Sequence, residues 1–226
     1  TAISNFDDEN LVKLLISSSG SNTGKGKVVG FNASELLTIN VNVDLSKTEA
    51  DFEFTGTKSG NWFGGIIQSA GDINGDGYND LVASETGADS NGFNTGATYI
   101  IFGQADTIEG SNKVEDLQNV LKIEGDEGIR LFFGRAIASN GDIDGDDKTD
   151  LLVVGTEYGQ SSLCGAYLFT GESLTAAYAE TERTLQAQDA DIKFFGEREG
   201  MTKASSVAFL EDRNDDNADE VIIGCK

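Results

Sequence analysis

Three short acidic strings carry most of the potential chemistry in this 226-residue chain. The first runs Asp72-Ile73-Asn74-Gly75-Asp76-Gly77-Tyr78-Asn79-Asp80 and the second Asp142-Ile143-Asp144-Gly145-Asp146-Asp147-Lys148-Thr149-Asp150. The third runs Asp212-Arg213-Asn214-Asp215-Asp216-Asn217-Ala218-Asp219-Glu220. Oxygen-bearing side chains at positions one, three and five of a tight loop aim at one point. Position seven can add a backbone carbonyl, and position nine can close the shell with a carboxylate. A set of about six to eight hard oxygens at adaptable geometry suits calcium. The expected ligands are therefore Asp72, Asn74, Asp76, Tyr78 and Asp80, then Asp142, Asp144, Asp146, Lys148 and Asp150, then Asp212, Asn214, Asp216, Ala218 and Glu220. Tyr78, Lys148 and Ala218 would act through their carbonyls. About three calcium ions follow. The alternative is a solvated acidic turn without metal. An EF-hand would need glutamate at position twelve, where this chain has Ala83, Val153 and Ile223. Gly75, Gly77 and Gly145 ease the turn in the first two strings, and the third has no glycine.

The elements that must position these loops are visible as repeats. The first residues of the strings are 70 apart and then 70 apart again. Each string precedes a short apolar run: Leu81-Val82-Ala83, Leu151-Leu152-Val153-Val154 and Val221-Ile222-Ile223. Phe63-Gly64 and Phe133-Gly134 lie nine residues before their first Asp, whereas Phe195-Gly196 lies seventeen before Asp212, which suggests an eight-residue insertion carrying Glu197-Arg198-Glu199-Gly200. Gly96-Ala97-Thr98-Tyr99 pairs with Gly165-Ala166-Tyr167, and alternating segments at Phe52–Thr55, Leu121–Glu124 and Leu185–Gln188 precede the Phe-Gly pairs. The N-terminus reads as a fourth, decayed copy: Asn5 to Lys13 replaces the acidic string and Leu14-Leu15-Ile16 the apolar run. Each repeat then holds four short strands separated by Gly, Asn and Asp turns, with no long helical period. Such units cannot bury both faces alone and must stack on neighbours, as propeller blades do.

These Phe-Gly pairs, D-x-[DN]-x-D-x-x-x-[DE] loops and Gly-Ala-Tyr strands resemble the FG-GAP repeats of integrin α subunits and their bacterial relatives. The resemblance implies an all-β fold, a partial β-propeller of about three four-stranded blades with calcium-binding loops. The repeats fall at roughly 1–62, 63–132, 133–194 and 195–226, the first and last incomplete. Remaining blades would come from missing chain segments or other copies. Ser84-Glu85-Thr86 and Gly155-Thr156-Glu157 stand where the family often has Gly-Ala-Pro.

Charge and composition narrow the function. With 39 acidic and 16 basic residues the net charge is −23, which repels phosphate backbones and anionic headgroups. Nucleic acid is not an expected partner, and no apolar run is long enough for membrane insertion. The chain begins at Thr1 with no Met and no signal-like segment, the mark of a mature chain or excised fragment. It has no His, which removes the commonest general base, and no Pro, for which we have no physical account. No Gly-x-Ser-x-Gly motif is present, and paired carboxylates that could cut glycosides are better used as metal ligands. A non-catalytic protein is expected. Gly20-Ser21-Asn22-Thr23-Gly24-Lys25-Gly26 has the wrong spacing for a phosphate loop and reads as a turn. Asn32-Ala33-Ser34 is a glycosylation sequon, and Cys164 and Cys225 either pair between blades or stay as buried thiols. The Phe-Gly aromatics read as packing. The expected function is an extracellular or cell-surface recognition or adhesion module with a protein or glycan ligand. The alternative is a purely structural propeller appended to a larger secreted enzyme or surface protein. The stretch between Asp89 and Val114 is a candidate ligand-contact loop.

Overall fold

The computed structural model describes residues 1–7, 12–20, 24–38, 48–127, 131–156, 164–195 and 204–225. The first repeat forms β1 (Ala2–Ile3), β2 (Lys13–Ser18), β3 (Lys27–Asn32) and β4 (Phe52–Thr55). The second forms β5 (Phe63–Ser69), β6 (Leu81–Glu85), β7 (Ala97–Ile101), β8 (Gly110–Lys113) and β9 (Val120–Glu124). The third forms β10 (Ala136–Gly141), β11 (Asp150–Thr156), β12 (Cys164–Phe169), β13 (Thr184–Gln186) and β14 (Ile192–Phe195), and the last β15 (Ala204–Leu210) and β16 (Glu220–Cys225). The sheets run β1-β2-β3-β4-β8, β5-β6-β7-β9-β13, β10-β11-β12-β14 and β15-β16. The fold is all-β and propeller-type: successive antiparallel meanders, each loop of the acidic type joining the first strand to the second.

The strands alternate in the service of two cores, because side chains point to opposite faces in turn. Leu81 and Ala83 of β6 pack with Phe52, Phe54 and Val28 of the preceding sheet. Val82, between them, packs with Leu151, Val153 and Tyr167 of the following one. On β11, Leu151 and Val153 face backward, while Leu152 and Val154 face forward to Val207, Phe209 and Val221. All of β6 and β11 is buried, as expected for strands covered on both faces.

Phe63 and Phe133 tie neighbouring units together. Each is fully buried and forms a bridge to the glycine just before the third strand of the preceding repeat, Gly26 to Phe63 and Gly96 to Phe133. A Cβ on Gly96 would lie 2.3 Å from the Phe133 backbone nitrogen, and its φ is +81°, so only glycine fits. Each phenyl ring then meets a tyrosine edge-on, Phe63 to Tyr99 at 5.8 Å and Phe133 to Tyr167 at 5.6 Å. The two tyrosines are equivalent by strand register, which places Ala97 opposite Glu85 and Gly165 opposite Gly155. The glycine of the Gly-Ala-Tyr pattern is thus one position out of register between the two repeats.

Phe195 does not play this part. It ends β14, the outer strand of the third sheet, and is 56% exposed. The outer strand expected at Leu185–Gln188 is instead β13, a parallel addition to β9, followed by a 3₁₀ turn at Ala187–Asp189. The last repeat begins with β15 at Ala204, eight residues before Asp212, just as Gly134 lies eight before Asp142. The spacing of 70 therefore places Ala204 where Gly64 and Gly134 stand, and Phe195 closes the preceding sheet instead of opening this one. Glu197 to Gly200 lie outside the described residues.

Two further features were not expected. Helix α1 (Ala33–Thr38) follows β3, and α2 (Gly171–Ala179) follows β12. Thr170 caps α2 by accepting from the Ser173 amide, Leu174 is buried, and Tyr178 stacks on Phe102 at 4.0 Å between ring centres. The stretch from Asp89 to Val114 is not one loop, since it contains β7 and β8. The side chains of Cys164 and Cys225 lie outside the described ones, as does the turn at Ser21–Thr23.

One buried acid belongs to none of the acidic strings. Glu85 is 1% exposed, accepts from Tyr99 Oη at 2.8 Å and from the Thr57 amide at 3.2 Å, and burial raises its pKa. Folding therefore favours its protonated form. The stability this lends is full below the unfolded value near 4.5 and is lost as pH rises through the raised folded pKa. Glu85→Gln keeps an oxygen acceptor for both donors and cannot ionise. Melting curves recorded from mildly acidic to neutral pH should fall less steeply for the variant than for the parent. Parallel curves would show that Glu85 keeps its charge on folding at no cost.

Candidate metal centre

The three acidic loops share one hydrogen-bond scheme. The first aspartate is the hub. Asp72 Oδ1 accepts from the Gly75 and Asp76 amides at 2.8 and 3.1 Å, and its Oδ2 accepts from Gly77 at 2.8 Å. Asp142 does the same with Gly145, Asp146 and Asp147 at 2.7, 3.2 and 2.9 Å. Asp212 accepts from Asp215, Asp216 and Asn217 at 2.8, 3.3 and 2.9 Å. These backbone donors hold the Asp212 carboxyl below the usual range, the Asn217 amide contributing most. The fifth residue then accepts from the seventh amide: Asp76 from Tyr78 at 2.9 Å, Asp146 from Lys148 at 2.9 Å and Asp216 from Ala218 at 3.1 Å.

Two positions in each loop take left-handed backbone. They are Gly75 and Gly77, then Gly145 and Asp147, then Asp215 and Asn217. The third loop needs no glycine because Asp and Asn tolerate this region better than other side-chain-bearing residues.

The carboxylates converge as a metal would require. Ligand oxygens of Asp142, Asp144 and Asp146 lie within 4.8 Å of one another, and so do those of Asp212, Asp216 and Glu220. Calcium–oxygen bonds of about 2.3–2.6 Å place ligands on opposite sides of one ion about 5 Å apart, so both sets fit around a single cation. In the first loop Asn74 supplies the third position and its Nδ2 donates to Asp76 Oδ2 at 2.9 Å. Proximity has an electrostatic cost. Asp144 is pushed up first by desolvation and then by the Asp146 charge.

The ninth residues divide into two kinds. Asp80 and Asp150 are fully buried and tie the loop to the sheet. Asp80 accepts from Ile73 at 2.7 Å and from Gly103 at 3.0 Å, and Asp150 from Ile143 at 2.7 Å and Gly171 at 2.8 Å. Burial pushes Asp80 up to about 8 and Asp150 to about 6. Glu220 accepts from the Arg213 amide at 2.9 Å and, with one more methylene, groups with Asp212 and Asp216. The role of the ninth residue as a structural tie was not read from sequence.

The decayed first loop has solved the charge problem differently. Lys13 takes the ninth position and is 1% exposed, with Nζ 3.7 Å from Asp7 Oδ2 and 3.3 Å from Asp51 Oδ2. A fixed ammonium stands where the other loops present a carboxylate. Residues 8–11 of this loop, Glu9 among them, lie outside the described residues.

Adjacent loops also touch. The Asp219 amide donates to the Asp142 carbonyl at 2.6 Å, and the Asp142 amide to Asp219 Oδ2 at 3.0 Å. Asn79 donates likewise to the Asn5 carbonyl at 2.8 Å. In these two pairs the eighth residue of one loop bonds the first residue of the loop before it. Ligand side chains nevertheless come from one loop each. Asp146→Ala is expected to abolish calcium binding at Asp142–Asp150 while the Asp72–Asp80 loop keeps its ion, read as a lowered stoichiometry in a calorimetric titration. Loss of every equivalent would show that the loops act as one cooperative unit.

Among the described residues, no helix is long and apolar enough to cross a membrane. Residues 63–101, which hold β5, the first acidic loop, β6 and β7, match the FG-GAP repeat family model. Integrin alpha-2 of Bos taurus is 31% identical over 132 residues, 58% of this chain and 10% of that protein. Integrin alpha-2 of Mus musculus is 31% identical over 131 residues, covering 58% and 10%, and Integrin alpha pat-2 of Caenorhabditis briggsae 31% over 101, covering 45% and 8%. The chain spans about one-tenth of the length of these curated relatives. Residues 63–101 are similar to an FG-GAP repeat, and the chain is similar to integrin α subunits over the segments matched.

Proposed function

We propose that this chain is a calcium-stabilised, non-catalytic recognition or adhesion module of the integrin-α-like propeller type, working outside the cell or at its surface. The observation that carries the reading is the threefold recurrence of one loop geometry, with carboxylate oxygens converging in the second and third loops. Calcium, when bound, supplies positive charge that neutralises those carboxylates and cross-links each loop. Asp72, Asn74, Asp76 and Asp80 would hold one ion, Asp142, Asp144, Asp146 and Asp150 a second, and Asp212, Asn214, Asp216 and Glu220 a third, with carbonyls of Tyr78, Lys148 and Ala218 completing the shells. Millimolar extracellular calcium is the setting in which such exposed, modest-affinity loops fill. The partner is a protein or a glycan, recognised by loops rather than by the sheets, since loops vary while the scaffold persists.

The test is a panel of extracellular matrix proteins and glycans presented to the immobilised protein with calcium and with EDTA. The reading expects at least one ligand bound only in calcium. Binding to none, on protein shown to be folded and calcium-loaded, would favour a purely structural propeller.

A further inference from the structure

At the seam between the first and second sheets lies a cleft of about 690 Å³, within the roughly 300–1,000 Å³ of small-ligand sites. β8 and β13 are straps, each laid parallel along the outer strand of the preceding sheet, β8 on β4 and β13 on β9. The segments around them wall the cleft. Thr57 and Asn61 come from the link between β4 and β5, and Asp89 and Ser90 from the link between β6 and β7. Gln118 precedes β9, and Arg183 precedes β13. One face of β9 supplies the floor, because alternation puts Val120, Lys122 and Glu124 on the same side. All lining residues fall between Thr57 and Thr184, clear of both ends of the sequence.

The back of the cleft is a buried polar network. Tyr99 is 2% exposed and donates from Oη to Glu85 Oε2 at 2.8 Å. Asn61 is 6% exposed and donates to Thr57 Oγ1 at 3.4 Å. Lys122 Nζ lies 5.8 Å from the Tyr99 ring centre and donates to Ser90 Oγ at 2.8 Å and to Glu124 Oε1. The next repeat serves as an internal control. Strand register makes Tyr167 and Lys193 equivalent to Tyr99 and Lys122, but it puts Gly155 in the place of Glu85 and Phe195 in the place of Glu124. The same strands therefore pair with neither acid. Repeat packing does not require the two carboxylates, and burying one costs stability. Polar groups that the fold does not need, converging on a cleft, mark a binding site.

The chemistry of the lining selects the ligand. Three basic side chains, Lys58, Lys122 and Arg183, stand against four acidic ones. In a chain of net charge −23 that is close to balance. The charges are also engaged locally: Lys122 with Glu124, Asp89 with the Asn94 amide at 2.8 Å, and Arg183 with the Gln118 carbonyl and the Tyr178 ring. A charged ligand would have to break the Lys122–Glu124 pair and leave one member uncompensated. An apolar ligand would cover these groups without satisfying them. A hydroxyl both donates and accepts, so a hydroxyl-rich ligand can bond ammonium and carboxylate at once and add no charge. Leu117 and Val120 offer an apolar patch to its C–H groups.

We propose that this cleft binds a neutral sugar unit of a glycan, with Lys122 and Glu124 bonding neighbouring hydroxyls and Asp89 and Gln118 bonding from the two rims. The proposal rests on the recognition reading above and narrows its ligand class. It uses no residue of the acidic loops.

The probe is an array of neutral oligosaccharides, with sialylated and sulfated ones beside them, exposed to the intact calcium-loaded protein. At least one neutral glycan should bind, and the charged ones should bind less. Lys122→Gln and Glu124→Gln should each weaken that binding about tenfold, since each removes a charge-assisted hydrogen bond. Gln118→Ala, at an exposed rim position, should also weaken it, and it covers the case in which a β9 variant unfolds. Lys193→Gln, the same change at the equivalent position of the next repeat, should leave binding unchanged. Preference for sialylated or sulfated glycans would overturn the proposal. Full binding by the folded Lys122, Glu124 and Gln118 variants would overturn the cleft while leaving the recognition reading intact. So would a protein that binds a matrix protein in calcium but no neutral glycan.

Discussion

Excess EDTA will lower the melting temperature of this protein by an amount equivalent to about 4 kcal/mol of unfolding free energy. The expected ligand positions of the three intact loops hold ten carboxylates: Asp72, Asp76, Asp80, Asp142, Asp144, Asp146, Asp150, Asp212, Asp216 and Glu220. Without a cation they repel one another in turns whose backbone keeps them close. A site with Kd about 0.1 mM at about 1 mM free calcium gains about 1.4 kcal/mol by mass action, and three such sites give about 4 kcal/mol. A typical domain has only about 5–15 kcal/mol in total. Magnesium should restore little, because it demands a rigid octahedron and keeps several of its waters. An unchanged melting curve on a sample verified to be metal-free would remove calcium from the account.

The second large effect separates true Phe-Gly positions from a coincidental one. Phe63→Ala and Phe133→Ala should each cost about 3–5 kcal/mol, since each ring is fully buried and its removal leaves a cavity against a tyrosine. Phe195→Ala should cost less than about 1 kcal/mol, because its ring is more than half exposed on an outer strand. Urea titrations in saturating calcium would read all three. Equal losses would restore Phe195 to the role the sequence pattern suggested and contradict the strand assignment.

That contrast shows where sequence reading succeeded and failed. The acidic loops were legible because one turn, with the first aspartate accepting from the amides that follow it, recurs three times at equal spacing. The apolar runs after them were legible because Leu81–Ala83 and Leu151–Val154 lie in strands buried on both faces. Phe195-Gly196 misled because a dipeptide carries little information and β14 happens to end in phenylalanine. The spacing from Asp212 was the better guide, and it points to Lys203-Ala204. The strap β8 was invisible because Gly110–Lys113 is polar, short and edge-placed, whereas β13 was mistaken for the outer strand itself through the alternation of Leu185 and Ala187. Helix α2 left a weak trace in Leu174, Ala177 and Tyr178, spaced three and four apart after a capping threonine. The buried pair of Lys13 with Asp7 and Asp51 turned an apparent loss of function into a packing solution. Asp51 lies 38 residues from Lys13, and no local pattern joins them.

The most direct measurement of the central claim is anomalous diffraction from crystals grown in calcium. The account predicts three ions, each about 2.3–2.6 Å from its ligand oxygens, seated at Asp72–Asp80, Asp142–Asp150 and Asp212–Glu220. No ion is expected beside Asp7, where the Lys13 ammonium already stands. Empty acidic loops in such crystals, or a calcium peak between Asp7 and Lys13, would contradict it.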